Sequence, residues 1–519
     1  MAFGLTGCSD TSAPSATAAS SPSPLRPEPP PEGTDSAAET IGERIFLETR
    51  FAQAFKQFVA KGGNLNDPGA NDPVLDTTAT TTPGSPIAPG PFKGLTMNCR
   101  ACHLVDELVD APVGGMRTYA NFARRSPIPE RPDGRRQAER NSRALVNAAL
   151  DRPDGLLLHF DGEFGSLEDL VIGTMTGRNF GWMPGEGGQA LTHLAAVVRG
   201  DDGTTDLARE FGGLSYRIVL NGTDPSIPDE FRIPAPFRVP IATASDHEIA
   251  DGVARLLAAY VRGLQFSKAD EAGTPIRSPY DIFLERNGLP GEPDDRETPL
   301  DYSRRLRQLI EVRRQAGTLQ FVASNPHRSD GSFQFHEQPF AFGPTELADL
   351  SIFLAEPAAA QPSSDKQSAG MIGHCLACHA APQFTDFKAH NTGTTQKEYD
   401  AVHGAGSCMA LPIPSLSTRN GAPNAYLPAT DQHPIAQEPF RQVAAVDHPL
   451  WTDLGVWNIF ANPDMPTPQA TIRALLCESK HPCSVSDAAL LDRAIARFKT
   501  PGLRDLGHSA PYMHNGQFD

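Results

Sequence analysis

Two pentads in this chain share one pattern: Cys99-Arg100-Ala101-Cys102-His103 and Cys375-Leu376-Ala377-Cys378-His379. Cys-x-x-Cys-His is the attachment pattern of a c-type haem. On a helical turn, residues i, i+3 and i+4 share one face, so both thiols and the imidazole reach the same porphyrin. The thiols can form thioethers with the vinyl groups, and the histidine becomes the proximal iron ligand. Eight cysteines and fifteen histidines in 519 residues, placed at random, would give on the order of 0.004 such pentads. Chance therefore does not explain two. A zinc clip would need a second Cys-x-x-Cys pair to complete four ligands, and each pair here carries its own histidine. Cys99, Cys102, His103, Cys375, Cys378 and His379 are expected to hold two covalent haem c groups, with His103 and His379 on the irons.

Composition sets the frame for these motifs. A chain of 519 residues can build two or three domains with proper cores. Its 48 prolines and 39% hydrophobic content suit a globular protein with long irregular connections. A net charge of −17 argues against nucleic acid and against simple binding to anionic lipid. It suits a cationic redox partner. Thioether attachment takes place outside the cytoplasm, so the chain is expected in the periplasm or cell envelope. There a disulfide among Cys408, Cys477 and Cys483 is permissible. Cys477 and Cys483 are near enough to close a small loop, although spacing alone does not fix the pairing.

The elements that must position the motifs read as mainly α. Leu5-Thr6-Gly7-Cys8 looks like a lipobox after a truncated lipoprotein signal, with Cys8 the candidate lipid anchor. The Ser/Pro/Ala-rich stretch that follows reads as a flexible tether, so 1–39 is set apart. The first folded segment is expected near Thr40, with one helical pattern over Gly42–Phe55 (Ile45, Phe46, Phe51, Phe55). Asn141–Asn147 reads as a helix start, Ser166–Met175 as a helix capped by Ser166, and Ser245-Asp246-His247-Glu248 as a capping box opening a helix to Leu264. Pro344–Leu354 is a shorter helix of similar character. Strand signals are sparse. The expected organisation is two cytochrome c-like haem domains, 40–266 and 358–519 (the latter truncated at its end), joined by a connecting insertion at 267–357.

Three further stretches give the chain a family likeness. They are Arg140-Asn141-Ser142 with Phe160-Asp161-Gly162, then Phe384-Thr385-Asp386 with His390-Asn391-Thr392-Gly393 after the second pentad. The third is Phe498 to Arg504 running into Ala510-Pro511-Tyr512-Met513-His514-Asn515-Gly516. In these the chain resembles the bacterial dihaem cytochrome c peroxidases and their MauG-like relatives, over roughly 40–195 and 360–519. The resemblance implies peroxide chemistry at the first haem and electron delivery through the second. The donor would be a small redox protein of cytochrome c or cupredoxin type. It also implies a calcium ion between the haems, held by Asn141 and the carbonyls of Ser509 and Pro511, oxygen ligands of the kind calcium takes. Family members are often homodimers.

Departures from the family pattern carry equal weight. Phe160 stands where the family has a tryptophan between the haems. Leu170 and Phe180 stand where it has a glutamine and a glutamate near the peroxidatic iron, and Thr174 replaces a proline. Splitting an O–O bond benefits from a titratable or hydrogen-bonding group, and those positions supply none. No histidine occurs between His103 and Asn141, so Met116 and Tyr119 are the first haem's candidate sixth ligands, or its site is open to peroxide or dioxygen. His159 reads as a buried, hydrogen-bonded residue. For the second haem the candidates are His508 and Met513, the latter more often a core residue. Two alternatives stay open: a MauG-like oxidase or oxygenase acting on an organic or protein substrate, and a non-catalytic electron-transfer module. The Arg-rich runs Arg304–Arg307 and Arg313-Arg314 read as a solvated helix face, or as cover for such a substrate site.

Overall fold

The computed structural model describes residues 35–67, 98–99, 102–103, 125, 128, 131–135, 138–150, 152, 155–265, 277–326, 331, 339–356, 372–477, 483–504, 506 and 512–518. The protein is mainly helical. Among the described residues the only strands are β1 (Ala389–His390) and β2 (Phe498–Lys499), paired antiparallel.

The largest core forms around one long helix. Helices α1 (Ala37–Leu47), α2 (Gln53–Ala60), α3 (Leu167–Met175), α4 (Gly187–Gly200), α5 (Asp206–Glu210) and α6 (Tyr216–Asn221) precede α7 (Asp246–Gly263), and α7 packs against α1, α3 and α4. The Ser245–Glu248 capping box starts α7 as its sequence requires, and Ile249, Val253, Leu256, Leu257 and Val261 are buried along it. Each fully buried side chain of this size contributes about 1.5–3 kcal/mol. Gly42 permits the close approach of α1, since a Cβ there would lie 2.2 Å from Leu256 O.

The single helix expected over Gly42–Phe55 is two. The backbone leaves helical geometry at Glu48 (ψ 124°) and re-enters at Gln53. The break serves a buried ion cluster. Arg50 donates to Glu48 Oε2 at 2.7 Å and to Asp201 Oδ1 at 2.9 Å, Arg44 reaches Asp201 Oδ2 at 3.0 Å, and Tyr216 OH donates to Glu48 Oε2 at 3.0 Å. Apolar spacing carries no information about such a knot of charges. Thr40 also lies inside α1, which starts three residues earlier behind its own Ser36–Glu39 capping box.

Asn141–Asn147 does not open a helix. Its amides go to distant partners, Asn141 N to His514 O (2.7 Å) and Asn147 N to Leu264 O (2.9 Å), and Asn147 is left-handed (φ 59°). The helices at 166–175 and 344–354 do form, as α3 behind the Ser166 cap and as α10 (Pro344–Phe353).

A second core gathers Phe440, Leu454, Trp457, Ile472, Leu476 and Leu490, and admits Leu157 from the first half of the chain. A third lies between α8 (Pro279–Arg286) and α9 (Pro299–Gln315), around Phe283, Tyr302 and Leu306. Along α9 the arginines face solvent: Arg304 pairs with Asp301 and Glu356, Arg305 with Glu297, and Arg314 with Glu311. Cys477 and Cys483 form a disulfide.

Candidate functional site

Cys99, Cys102 and His103, the described residues of the first pentad, make the same turn contacts as their counterparts in the second. Cys102 N and His103 N donate to Cys99 O at 3.1 and 2.9 Å, and Cys378 N and His379 N donate to Cys375 O at 3.1 and 2.8 Å. One carbonyl thus receives the amides three and four residues on, which puts two thiols and an imidazole on one face. The first turn is held by Asn98, whose side-chain amide donates to Leu47 O at the end of α1. The second is held by Gly373 N donating to Ile352 O of α10, and by Leu376, buried beside Leu354 and Ala380.

The two histidines are also oriented alike. His103 Nδ1 lies 2.7 Å from Arg143 O, and His379 Nδ1 lies 2.8 Å from Phe384 O. A carbonyl oxygen only accepts, so Nδ1 carries the proton in each ring and Nε2 of the neutral imidazole carries the lone pair. That is the tautomer an iron ligand uses, and such a backing hydrogen bond orients a ligating histidine. Burial, opposed by the Arg143 carbonyl, holds His103 near a pKa of about 4, hence neutral. Burial first, then Cys102, pushes the Cys99 thiol up to about 12. Burial likewise raises Cys375 and Cys378. These residues fit a covalent haem at each turn in ligand type, facing and tautomer.

A hydrogen-bonded route joins the two histidines. From the Arg143 carbonyl under His103, the same arginine donates to His159 O at 2.8 Å and lays its guanidinium 4.4 Å from the Phe160 ring centroid. Phe160 O accepts from Lys499 N of β2 at 2.8 Å. Next in the chain, Thr500 O accepts from Thr385 Oγ1 at 2.9 Å. Phe384, one residue back, supplies the carbonyl under His379.

Salt bridges clamp the surrounding seam. Arg140 grips Asp453 through Nε (2.6 Å) and Nη2 (2.8 Å) and also binds Asp161, while Arg441 binds Glu163. Arg135 and Arg178 converge on Glu438, and Arg125 pairs with Glu398. Sequence reading missed this network, whose only local signal is the alternation His159-x-Asp161-x-Glu163. Ligand atoms of those three lie within 4.8 Å of one another, but Arg140 and Arg441 already neutralise the carboxylates. The cluster is an ion-pair seam. His159 is half-buried, less enclosed than expected, with Nδ1 2.9 Å from Glu163 Oε2.

The other candidates fall as follows. Cys99 and Cys102 pack against the same core as Leu170 and Phe180; Phe180 is buried, while Leu170 and Thr174 are half-buried. Phe160 is half-buried, edge-on to His514 at 6.4 Å. Asn141 is buried on the seam. Met513 is 43% exposed, so it is not a core residue. Cys8, Met116, Tyr119, His508, Ser509 and Pro511 lie outside the described residues.

No family model and no curated protein matches the chain. Among solved structures it is similar to the dihaem peroxidase BthA of Burkholderia thailandensis, at 13% identity and a TM-score of 0.36, over 93% of this chain and 69% of that one. A methionine-for-tyrosine variant of BthA matches at the same identity and TM-score, over 93% and 70%.

Proposed function

We propose that this chain is a dihaem c-type oxidoreductase that accepts electrons from a small redox protein, of cytochrome c or cupredoxin type, and reduces hydrogen peroxide. The observation that carries this reading is the pair of matching Cys-x-x-Cys-His turns, each with its histidine Nδ1 on a backbone carbonyl. Bound at those turns, haem iron would supply one-electron redox chemistry and a site for a small oxidant. The reading includes a periplasmic or cell-envelope location with a lipid anchor at Cys8, a calcium ion at Asn141, Ser509 and Pro511, and a homodimer.

The chain's own residues divide the labour. His103 and His379 present Nε2 while the Arg143 and Phe384 carbonyls fix their rings. The link through Phe160, Lys499, Thr500 and Thr385 ties the two ligands into one rigid frame. Leu170 and Phe180 offer no polar side-chain atom and Thr174 only a hydroxyl, so none of the three titrates to move a proton. With the Arg143 cation against its ring, Phe160 is disfavoured as a site that itself loses an electron. That last contact favours a second reading, a non-catalytic electron-transfer module.

Intact mass of the exported protein tests the first step. Two added porphyrins are expected, and one after Cys375→Ala with Cys378→Ala. A mass without them ends the reading. Peroxide added to mixed-valence protein with a reduced c-type donor then separates the two functions: donor oxidation above the rate of free haem supports the peroxidase, and its absence leaves the electron-transfer module.

A further inference from the structure

Three cations lie between the two turns with no salt bridge to a carboxylate among the described residues. Arg143 backs His103 and covers Phe160. Lys499 is 4% exposed, and its Nζ donates to Leu157 O. Arg152, from the first half of the chain, reaches the loop after the second pentad, its guanidinium 5.2 Å from the Phe387 ring centroid. The Arg152 Nε and Nη1 atoms are buried and make no hydrogen bond. Lys499 is lowered by burial and then by Arg143 and Arg152, while Arg152 itself, beyond burial, feels the carboxylate of Asp386. The nearby carboxylates are engaged elsewhere, Asp161 with Arg140 and Asp386 with His390.

Buried charge without a counter-ion is costly, and breaking such pairs destabilises proteins strongly. A chain of net charge −17 has carboxylates to spare, yet among the described residues none forms a salt bridge with these three groups. The missing negative charge is therefore expected from a bound group. A porphyrin fixed by thioethers along one edge carries two carboxylates on the opposite edge. We propose that Arg152, with Arg143 and Lys499 beside it, binds the propionate carboxylates of the haem attached at Cys375 and Cys378. This rests on the dihaem reading above.

The pocket sets the charge balance of that haem. Removing a cation favours the ferric state, so Arg152→Gln lowers the reduction potential of the second haem. The uncompensated propionate also becomes free to titrate, giving the variant's potential a pH dependence between about pH 5 and 8 that the wild type lacks. Arg152→Lys retains most of the wild-type potential because the charge remains.

Spectroelectrochemical titration of holoprotein checked for two haems by mass reads all of this. If Arg152→Gln is not recovered with two haems, Lys499→Met is titrated in its place, with the same shift expected. Two attached haems with unchanged potential and pH profile would overturn the pocket and leave the dihaem reading intact. A wild type lacking two haems would instead end that reading. The source of the carboxylate is tested with inorganic phosphate: a wild-type potential that follows added phosphate would assign the site to a diffusible anion and overturn the proposal.

Discussion

His514 lies flat on Phe498, ring centroids 3.7 Å apart and planes 9° from parallel. The pair sits where the chain's last segment meets its first half. His514 O accepts from Asn141 N at 2.7 Å, and Arg140 approaches Phe498 to 5.9 Å. Burial keeps the imidazole neutral, at about 3, with Asp453 opposing and Arg140 reinforcing. An aromatic stack therefore closes the same seam that Arg140 and Asp453 clamp electrostatically, and the contributions of the two can be separated by mutation.

The Arg140–Asp453 clamp predicts acid sensitivity in a defined window. Burial opposes ionisation of Asp453, yet Arg140 outweighs it and holds the carboxyl at about 2. In the unfolded chain the same group titrates near 3.9, roughly. A depressed carboxylate gives stability that is complete above the unfolded value and is lost as pH falls through the folded one. Wild type should lose about 2.5 kcal/mol from this group progressively between about pH 5 and 1. Asp453→Asn should lack that share of the slope. Urea midpoints from about pH 5 to 2 measure it, and a pH-independent gap between the two proteins would contradict the assignment.

At the break between α1 and α2, Asp201 receives Arg44, Arg50 and the amide of Tyr216. Asp201→Asn leaves two buried guanidinium groups under-compensated and is expected to cost about 3–5 kcal/mol. Chemical denaturation reports the loss. A change below about 1 kcal/mol, the range of surface pairs, would mean that the cluster is not held tightly in solution.

The Cys477–Cys483 disulfide spans a sequence separation of 6. Closing so short a loop restricts the unfolded chain only modestly, so replacing both residues with serine should cost about 2 kcal/mol. Non-reducing peptide mapping establishes the link, and thermal melts of the double variant give its contribution. A variant as stable as wild type would show that the loop is held by Arg473 and the second core instead.

Leu170 offers nothing to a reacting oxygen. Should the first haem reduce peroxide, Leu170→Gln adds a hydrogen-bonding group where the family carries polar ones, and turnover is expected to rise on the order of 10²-fold. Stopped-flow mixing of peroxide with mixed-valence protein measures this. No acceleration, with two haems retained, would place Leu170 away from the oxidant.

What the sequence makes legible is whatever local chemistry dictates. Ser245 with Glu248 and Ser166 with Asp169 announce their helices, because a cap is satisfied within four residues. The pentads announce their turns for the same reason. Asn141–Asn147 misleads because its amides are satisfied by His514 and Leu264, far along the chain. The Glu48–Arg50–Asp201 cluster breaks a helix that apolar periodicity alone would continue. Nothing local marks Arg152 or Lys499 as buried, and only folding brings them against Phe387 and Leu157.

Lys499 bonds to Leu157 across 342 residues of chain, while Thr500 beside it bonds to Lys388. Contacts of such long range form late, since the intervening loop must close first. During synthesis from the N-terminus, both pentads emerge well before the strand that will lock them together. Each turn can therefore form on its own local bonds, and docking of β2 joins the two into a shared frame only afterwards.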